Sequence, residues 1–247
     1  MLAPSRTTLS FALVTLVAAF TGCSPKVGST VTDNSLTPLN EDAAVLVLDV
    51  NKPLPDGCRR IGNVTADAGG AECHYSTVTA NAKTQARKMG GNIVKITRYW
   101  EPSIGNPCYK IKGDVFYSAN ADQLVAADQA RKDSLHLAKF GEHPDYAILY
   151  AYRPSGVGPL IGYNLHLGDS VICRMKNNSK YEIRLYKEGP VTLWASTESK
   201  SSIPLTVKFG EEYYLKCSLQ MGAIVGEPHL GLIAKGPGEV TYESIKK

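Results

Sequence analysis

Ile203-Pro204-Leu205-Thr206-Val207-Lys208-Phe209, followed after a Gly210-Glu211-Glu212 break by Tyr213-Tyr214-Leu215-Lys216-Cys217-Ser218-Leu219, decides the class of the larger part of this chain. Ile203, Leu205, Val207 and Phe209 fall on one face, as do Tyr213, Leu215, Cys217 and Leu219. Side chains along a strand alternate with period two, so both runs read as half-buried strands. Upstream, Tyr181, Ile183 and Leu185 alternate with Glu182 and Arg184 in the same way. Turn signals recur at Asn177-Asn178-Ser179, Glu188-Gly189-Pro190, Phe209-Gly210-Glu211 and Lys235-Gly236-Pro237-Gly238. Regular short strands with such punctuation predict an all-β antiparallel sandwich over residues 145–247, with no helix in it.

The preceding part reads differently. Ala44 to Val50 is a short apolar run closed by Pro53 and Pro55, and Arg59 to Ala66 alternates. Between Ser76 and Met89 the residues Val78, Ala82, Ala86 and Met89 recur at helical spacing, while Lys83, Arg87 and Lys88 face away. Gly90-Gly91 ends that helix, because glycine takes the left-handed cap without steric cost. Ile93 to Trp100 and Tyr109 to Tyr117 then read as strands. The expected unit over 44–118 is a small α+β domain, one helix on a mainly antiparallel sheet. Residues 119–144 predict a polar, Ala-rich linker helix, boxed by Asn120 and Gln123 and closed by Gly141, across which the two units would move.

The N-terminus carries an address. Arg6 precedes a twelve-residue apolar run, Leu9 to Phe20, and the first acidic residue is Asp33. A membrane-spanning helix needs about 20 apolar residues, so the run suits a cleaved signal peptide over residues 1–22. Phe20-Thr21-Gly22-Cys23 resembles the lipobox of bacterial lipoproteins, with Phe20 where that pattern has Leu. The resemblance implies a diacylglycerol on the Cys23 thiol and acylation of the new amino group. Ser24, in place of an inner-membrane-retaining Asp, implies an outer-membrane location by the same resemblance; the expected orientation is toward the periplasm, although the residues do not name the face. Several acyl chains would hold the protein stably, each buried methylene contributing about 0.8 kcal/mol. Residues 23–43, rich in Ser, Thr, Pro, Asn and Gly, predict a flexible tether spanning on the order of 25 Å.

Within the α+β unit, Gly62-Asn63-Val64, Cys73, Ala86-Arg87-Lys88-Met89-Gly90-Gly91-Asn92-Ile93-Val94 and Pro107-Cys108-Tyr109 together resemble the RcsF-type, heavy-metal-binding-like sensory domain of envelope lipoproteins. That resemblance implies the fold just described and a disulfide between Cys73 and Cys108. The chain lacks that family's second cysteine pair and carries Cys58 instead, which reads as a buried free thiol, an alternative partner for Cys73 or Cys108, or an intermolecular link. Leu149-Tyr150-Ala151-Tyr152-Arg153-Pro154 and Gly210-Glu211-Glu212-Tyr213-Tyr214 resemble a lipoprotein β-sandwich family without an assigned function, whose Pro-Gly turn is reversed here to Gly189-Pro190.

The remaining chemistry is sparse. Cys173 and Cys217 occupy inward strand positions and, in an oxidising compartment, predict a second disulfide rather than two buried thiols. His74, His136, His143, His166 and His229 are scattered, and no cysteine pair has the spacing of a structural zinc site, so no metal or other cofactor is expected beyond the covalent lipid. A net charge of +4, dispersed along the chain, gives no nucleic-acid footprint. No phosphate loop, zinc-protease motif or nucleophile elbow is present, and Gly156-Val157-Gly158 with Gly162 has the wrong spacing for a dinucleotide loop. Trp194 and Tyr214 fall on the outward phase of their strands, where they would stack on a ligand or pack against the other unit. The sequence therefore predicts a non-catalytic, lipid-anchored envelope protein that binds or senses through contacts with another envelope protein or the wall. A scaffold component and an enzyme acting on envelope polymers are the alternatives.

Overall fold

The computed structural model describes residues 26–68, 73–103, 106–222 and 226–246. The apolar leader and Cys23 lie outside the described residues. The first unit is a five-stranded sheet in the order β1-β3-β5-β4-β2, with β1 (Val27–Val31), β2 (Leu46–Leu48), β3 (Arg59–Asp67), β4 (Ile93–Trp100) and β5 (Lys110–Tyr117). Its pairs are antiparallel except β2 with β4, which run parallel. Helix α1 (Tyr75–Lys88) lays Val78, Ala82 and Ala86 on this sheet, against Ile61, Val64, Ile96, Ile111 and Val115.

The Gly90-Gly91-Asn92 signature has a physical basis in three contacts. Gly90 takes φ +80°, and a Cβ there would come within 2.7 Å of Leu36. A Cβ on Gly91 would lie 2.4 Å from Val115. Asn92 is buried and pairs both ways with Ser118, its amide donating to the Ser118 carbonyl and its carbonyl accepting from the Ser118 N–H, each at 2.8 Å. Helix end, core wall and strand start are thus fixed within three residues.

Two expectations need correction. Within the segment expected to be a tether, residues 26–43 are part of the fold. Here β1 pairs along β3, the Leu39 N–H donates to the Arg87 carbonyl, and Leu36 packs against the core. The contacts come from the backbone and from isolated side chains, so they leave no hydrophobic period. The sandwich region, expected to be all strand, ends in helix α3 (Lys235–Ser244). Lys235-Gly236-Pro237-Gly238, read as a turn, forms its first turn. Glycine is a poor helix former, but Cβ atoms at Gly236 and Gly238 would approach the Asp49 carboxylate at 2.8 Å and the Tyr214 side chain at 2.5 Å. Close packing outweighs propensity there, and proline is tolerated in a first turn.

The second unit is a mainly antiparallel β-sandwich. One sheet runs β11-β10-β7-β8, from β7 (Tyr163–Leu167), β8 (Ser170–Met175), β10 (Gly189–Ser196) and β11 (Lys200–Val207). The other runs β13-β12-β6-β9, from β6 (Ala147–Arg153), β9 (Ser179–Leu185), β12 (Glu212–Gln220) and β13 (Glu227–Ile233), with β6 and β12 parallel. Leu149, Leu165, Met175, Leu193, Leu205 and Leu215 from both sheets share one core. Strand β6 is buried along its whole length because its other face, Ile148, Tyr150 and Tyr152, lies in a second cluster with Tyr214 and Tyr242 of α3. Two phenols close the corners: Tyr213 donates to the Thr206 carbonyl at 3.0 Å and Tyr181 to the Arg174 carbonyl at 2.6 Å. Asn178 takes φ +54° in the β8–β9 turn, a conformation asparagine tolerates.

Helix α2 (Ala121–Phe140) joins the units, with Leu124 and Val125 packed on the first and Phe140 in the aromatic cluster of the second. Its start carries no side-chain cap, so the expected Asn120 box does not form; the Asn120 N–H instead donates to the Ser118 hydroxyl at 3.3 Å. Gly141, at φ +75°, ends it. The helix is not the sole connection. Tyr99 donates to the Pro237 carbonyl at 3.3 Å, the Ala234 N–H donates to the Tyr109 hydroxyl at 2.9 Å, and Lys216 pairs with Glu101 at 2.5 Å. This seam, held largely by α3, opposes the free interdomain movement expected of a simple linker.

Candidate functional site

Cys73 and Cys108 are joined in a disulfide that ties the start of α1 to the start of β5. Beside it, the Tyr75 and Tyr109 rings meet edge to face with centroids 5.4 Å apart, and the Tyr75 hydroxyl donates to Asp49 at 2.8 Å. Cys58 is a free, half-buried thiol packed against the cluster of Leu46, Leu48, Ile93 and Phe116, and burial raises its pKa.

The expected Cys173–Cys217 disulfide is not formed; both thiols are free, and both sit in the sandwich core. They lie on facing sheets, Cys173 on β8 and Cys217 on β12. The Cys173 sulfur lies 3.5 Å from that of Met175. Burial pushes the Cys173 thiol up to about 12 and the Cys217 thiol higher still, so neither supplies the thiolate that exchange requires.

The outward aromatics are occupied. Tyr214 is buried under α3 and stacks on Tyr150 at 4.8 Å. Trp194 stacks on His166 at 3.7 Å with rings 11° from parallel, donates its indole N–H to the Gly168 carbonyl at 2.7 Å, and has the Lys200 ammonium 4.4 Å from its ring centre. Tyr214 thus packs, but against Tyr150 and α3 of its own region rather than against the other unit as expected.

Two charged residues that sequence reasoning did not single out hold the sandwich in place. Arg153 is 1% exposed and donates to three carbonyls of the following loop, Ile161 at 2.6 Å, Gly158 at 2.8 Å and Val157 at 2.9 Å. The Gly156-Val157-Gly158 run is therefore part of a cage around a guanidinium. Glu212, with its side chain only 6% exposed, takes Lys139 from the end of α2 and Lys235 from the start of α3, and accepts a further bond from Tyr150 at 3.2 Å. Burial alone would raise its pKa, but the two lysines outweigh burial and hold it below its usual 4.5.

A sign follows for Glu212. A carboxyl whose pKa is depressed by folding stabilises the fold above its usual value and ceases to do so as pH falls through the lower, folded one. Glu212→Gln is expected to cost on the order of 1–2 kcal/mol at neutral pH, a modest figure because both lysines keep access to water. The difference from the parent should shrink and then vanish as pH falls below 4.5 and through the lower, folded-state pKa of Glu212. Urea midpoints of both proteins across the acid range check this; a deficit that does not change with pH would contradict it.

The open feature of the sandwich lies where its sheets part. Strands β8 and β9 belong to different sheets but are joined by the tight corner at 176–178. From that corner they diverge, leaving a groove of about 710 Å³. Leu167, Ile172 and Val191 line one wall and Ile183 and Leu185 the other, all from the core or its margin. Tyr186 and Lys187 border its mouth; Arg184 also lines it, but its guanidinium lies over the Tyr146 ring, 4.6 Å from the centroid. The sequence signal was present only in part: Tyr186 and Lys187 follow a strand whose apolar face was legible, but nothing local says that the facing sheet ends there.

No family model and no curated protein sequence matches the chain. Among solved structures it is similar to the N-terminal domain of AlgF from P. aeruginosa, at 15% identity and a TM-score of 0.26, over 37% of this chain and 98% of that one. By its own architecture the protein is a small α+β unit interlocked with a β-sandwich.

Proposed function

We propose that this is a lipid-anchored protein of the bacterial outer membrane, facing the periplasm, that acts by binding or sensing rather than by catalysis. Residues 1–22 are its cleaved signal and Cys23 its lipid attachment. The observation that carries this reading is the Cys73–Cys108 disulfide, since such bonds persist in exported proteins and are rare in reducing compartments. The lipobox-like Phe20-Thr21-Gly22-Cys23 adds the anchor. The first unit is an RcsF-type sensory domain, a reading supported by the packing of Gly90, Gly91 and Asn92 and by the disulfide. The sandwich, held to it by α3 and carrying the groove, presents the binding surface.

Photocrosslinking from Val171 and Tyr186, both exposed beside the groove, tests the role in intact envelopes. One stoichiometric envelope-protein or wall adduct that changes with stress supports sensing. Constitutive higher-order adducts would point to a scaffold instead, and adducts only to polymer that is then cleaved would reopen catalysis.

A further inference from the structure

The groove at the diverging ends of β8 and β9 is open, apolar within and basic at its rim. We propose that it takes the hydrocarbon chain of a single-chain anionic amphiphile, with the head group at Lys187. This goes beyond the binding role above and rests on that reading only for placing the groove in a lipid-rich compartment.

Three observations favour this occupant. The walls come from both sheets of the sandwich, so a chain entering between Ile172 and Ile183 continues the hydrophobic core rather than lying on a surface. The volume falls within the roughly 300–1,000 Å³ that small-molecule sites occupy. The lining includes no carboxylate and two cations, of which Arg184 is stacked on Tyr146 and Lys187 is left exposed at the rim. Neither Asp169 nor Glu188 lines it, and Glu188 accepts from the Phe209 N–H at 2.7 Å. Lys187, exposed at the rim, therefore favours an anionic head.

An added peptide strand fits less well. β8 is an edge strand, but its pairing with β7 slips between Leu165 and His166, leaving Ile172 as an extra, bulged residue. Such bulges blunt an edge against further pairing. The facing edge, β9, carries Lys180, Glu182 and Arg184 in alternation, which has the same effect. A second copy of the chain would bring two Lys187 ammoniums together.

The test uses the full chain carrying Cys23→Ser, so that no covalent acyl group competes. Dansyl-labelled undecanoic acid is titrated and its emission followed, then displaced by hexadecanoate, hexadecyl phosphate or hexadecyltrimethylammonium. Saturable one-to-one binding is expected, displaced by both anions and at least tenfold less effectively by the cation. The two anions separate a carboxylate from a phosphate head group. Lys187→Glu, at an exposed position, should weaken binding about tenfold without moving the melting temperature. Val191→Trp, which fills the groove, should abolish binding while keeping a cooperative melt.

Absence of saturable binding, equal displacement by the cation, or unchanged affinity in both variants would overturn the proposal. If the probe fails while crosslinks from Val171 still capture an envelope protein, this inference falls alone. If the probe binds but the parent chain proves unacylated, the envelope reading falls and the groove assignment stands.

Discussion

Replacing Cys73 and Cys108 together by serine should destabilise the protein by about 4 kcal/mol, the entropy that closing a 35-residue loop removes from the unfolded chain. The loss should appear first in the α+β unit. The disulfide joins the start of α1 to the start of β5, next to the Tyr75–Tyr109 contact. Because the Tyr109 hydroxyl also accepts from Ala234, loosening β5 weakens the seam that α3 makes with the first unit. Dithiothreitol should therefore lower the melting temperature of the parent protein and leave the double serine variant unchanged. Limited proteolysis after reduction should cut near residues 73–75 before it cuts the sandwich. A parent melt insensitive to reductant would show that the bond carries no stability.

Arg153→Met should cost about 3 kcal/mol, because three carbonyls lose charge-assisted partners at once. Methionine fills much of the volume, so the loss reports hydrogen bonding rather than a cavity. Arg153→Lys should recover little: one ammonium on a flexible stem does not match a planar fork that reaches Ile161, Val157 and Gly158 together. Among the described residues its hydrogen-bond partners are carbonyls rather than carboxylates, so raising salt should leave the Arg153 contribution nearly intact. Urea unfolding of the three proteins, with protease mapping of 154–162, checks this. Equal stability of Arg153→Met and the parent would mean that the loop is held by something other than the guanidinium.

Much of the fold was legible because its signals are periodic. Val78, Ala82 and Ala86 announced a helix, and Tyr213, Leu215, Cys217 and Leu219 announced a strand; the α+β unit and the sandwich follow from them. What the sequence hid was set by contacts between distant residues. β1 forms because its backbone pairs with β3, and a run such as Val27-Gly28-Ser29-Thr30-Val31 has no buried face to betray it. Helix α3 begins with two glycines because Asp49 and Tyr214 leave no room for a side chain, and neither neighbour is close in sequence.

The candidate site was less legible still. The cysteine pair at 73 and 108 came through a family resemblance, while phase alone suggested a bond between Cys173 and Cys217 that the structure does not form. Inward phase says that two residues share a core, not that their sulfurs meet. Arg153 and Glu212 were visible only as parts of quoted phrases, since the carbonyls and lysines that explain them are brought together by the fold.

The proposed attachment to a membrane through Cys23 underlies the whole functional reading, and one measurement addresses it directly. Cells expressing the parent or Cys23→Ser are labelled with radioactive palmitate, and the purified mature chains are examined by intact mass spectrometry. The account predicts a parent chain that begins at Cys23, carries label and the mass of covalent acyl groups, and fractionates with the outer membrane, and a variant that does none of these. A parent chain starting elsewhere or lacking acyl mass would contradict it, as would a Cys23→Ser variant that fractionates with membranes as the parent does.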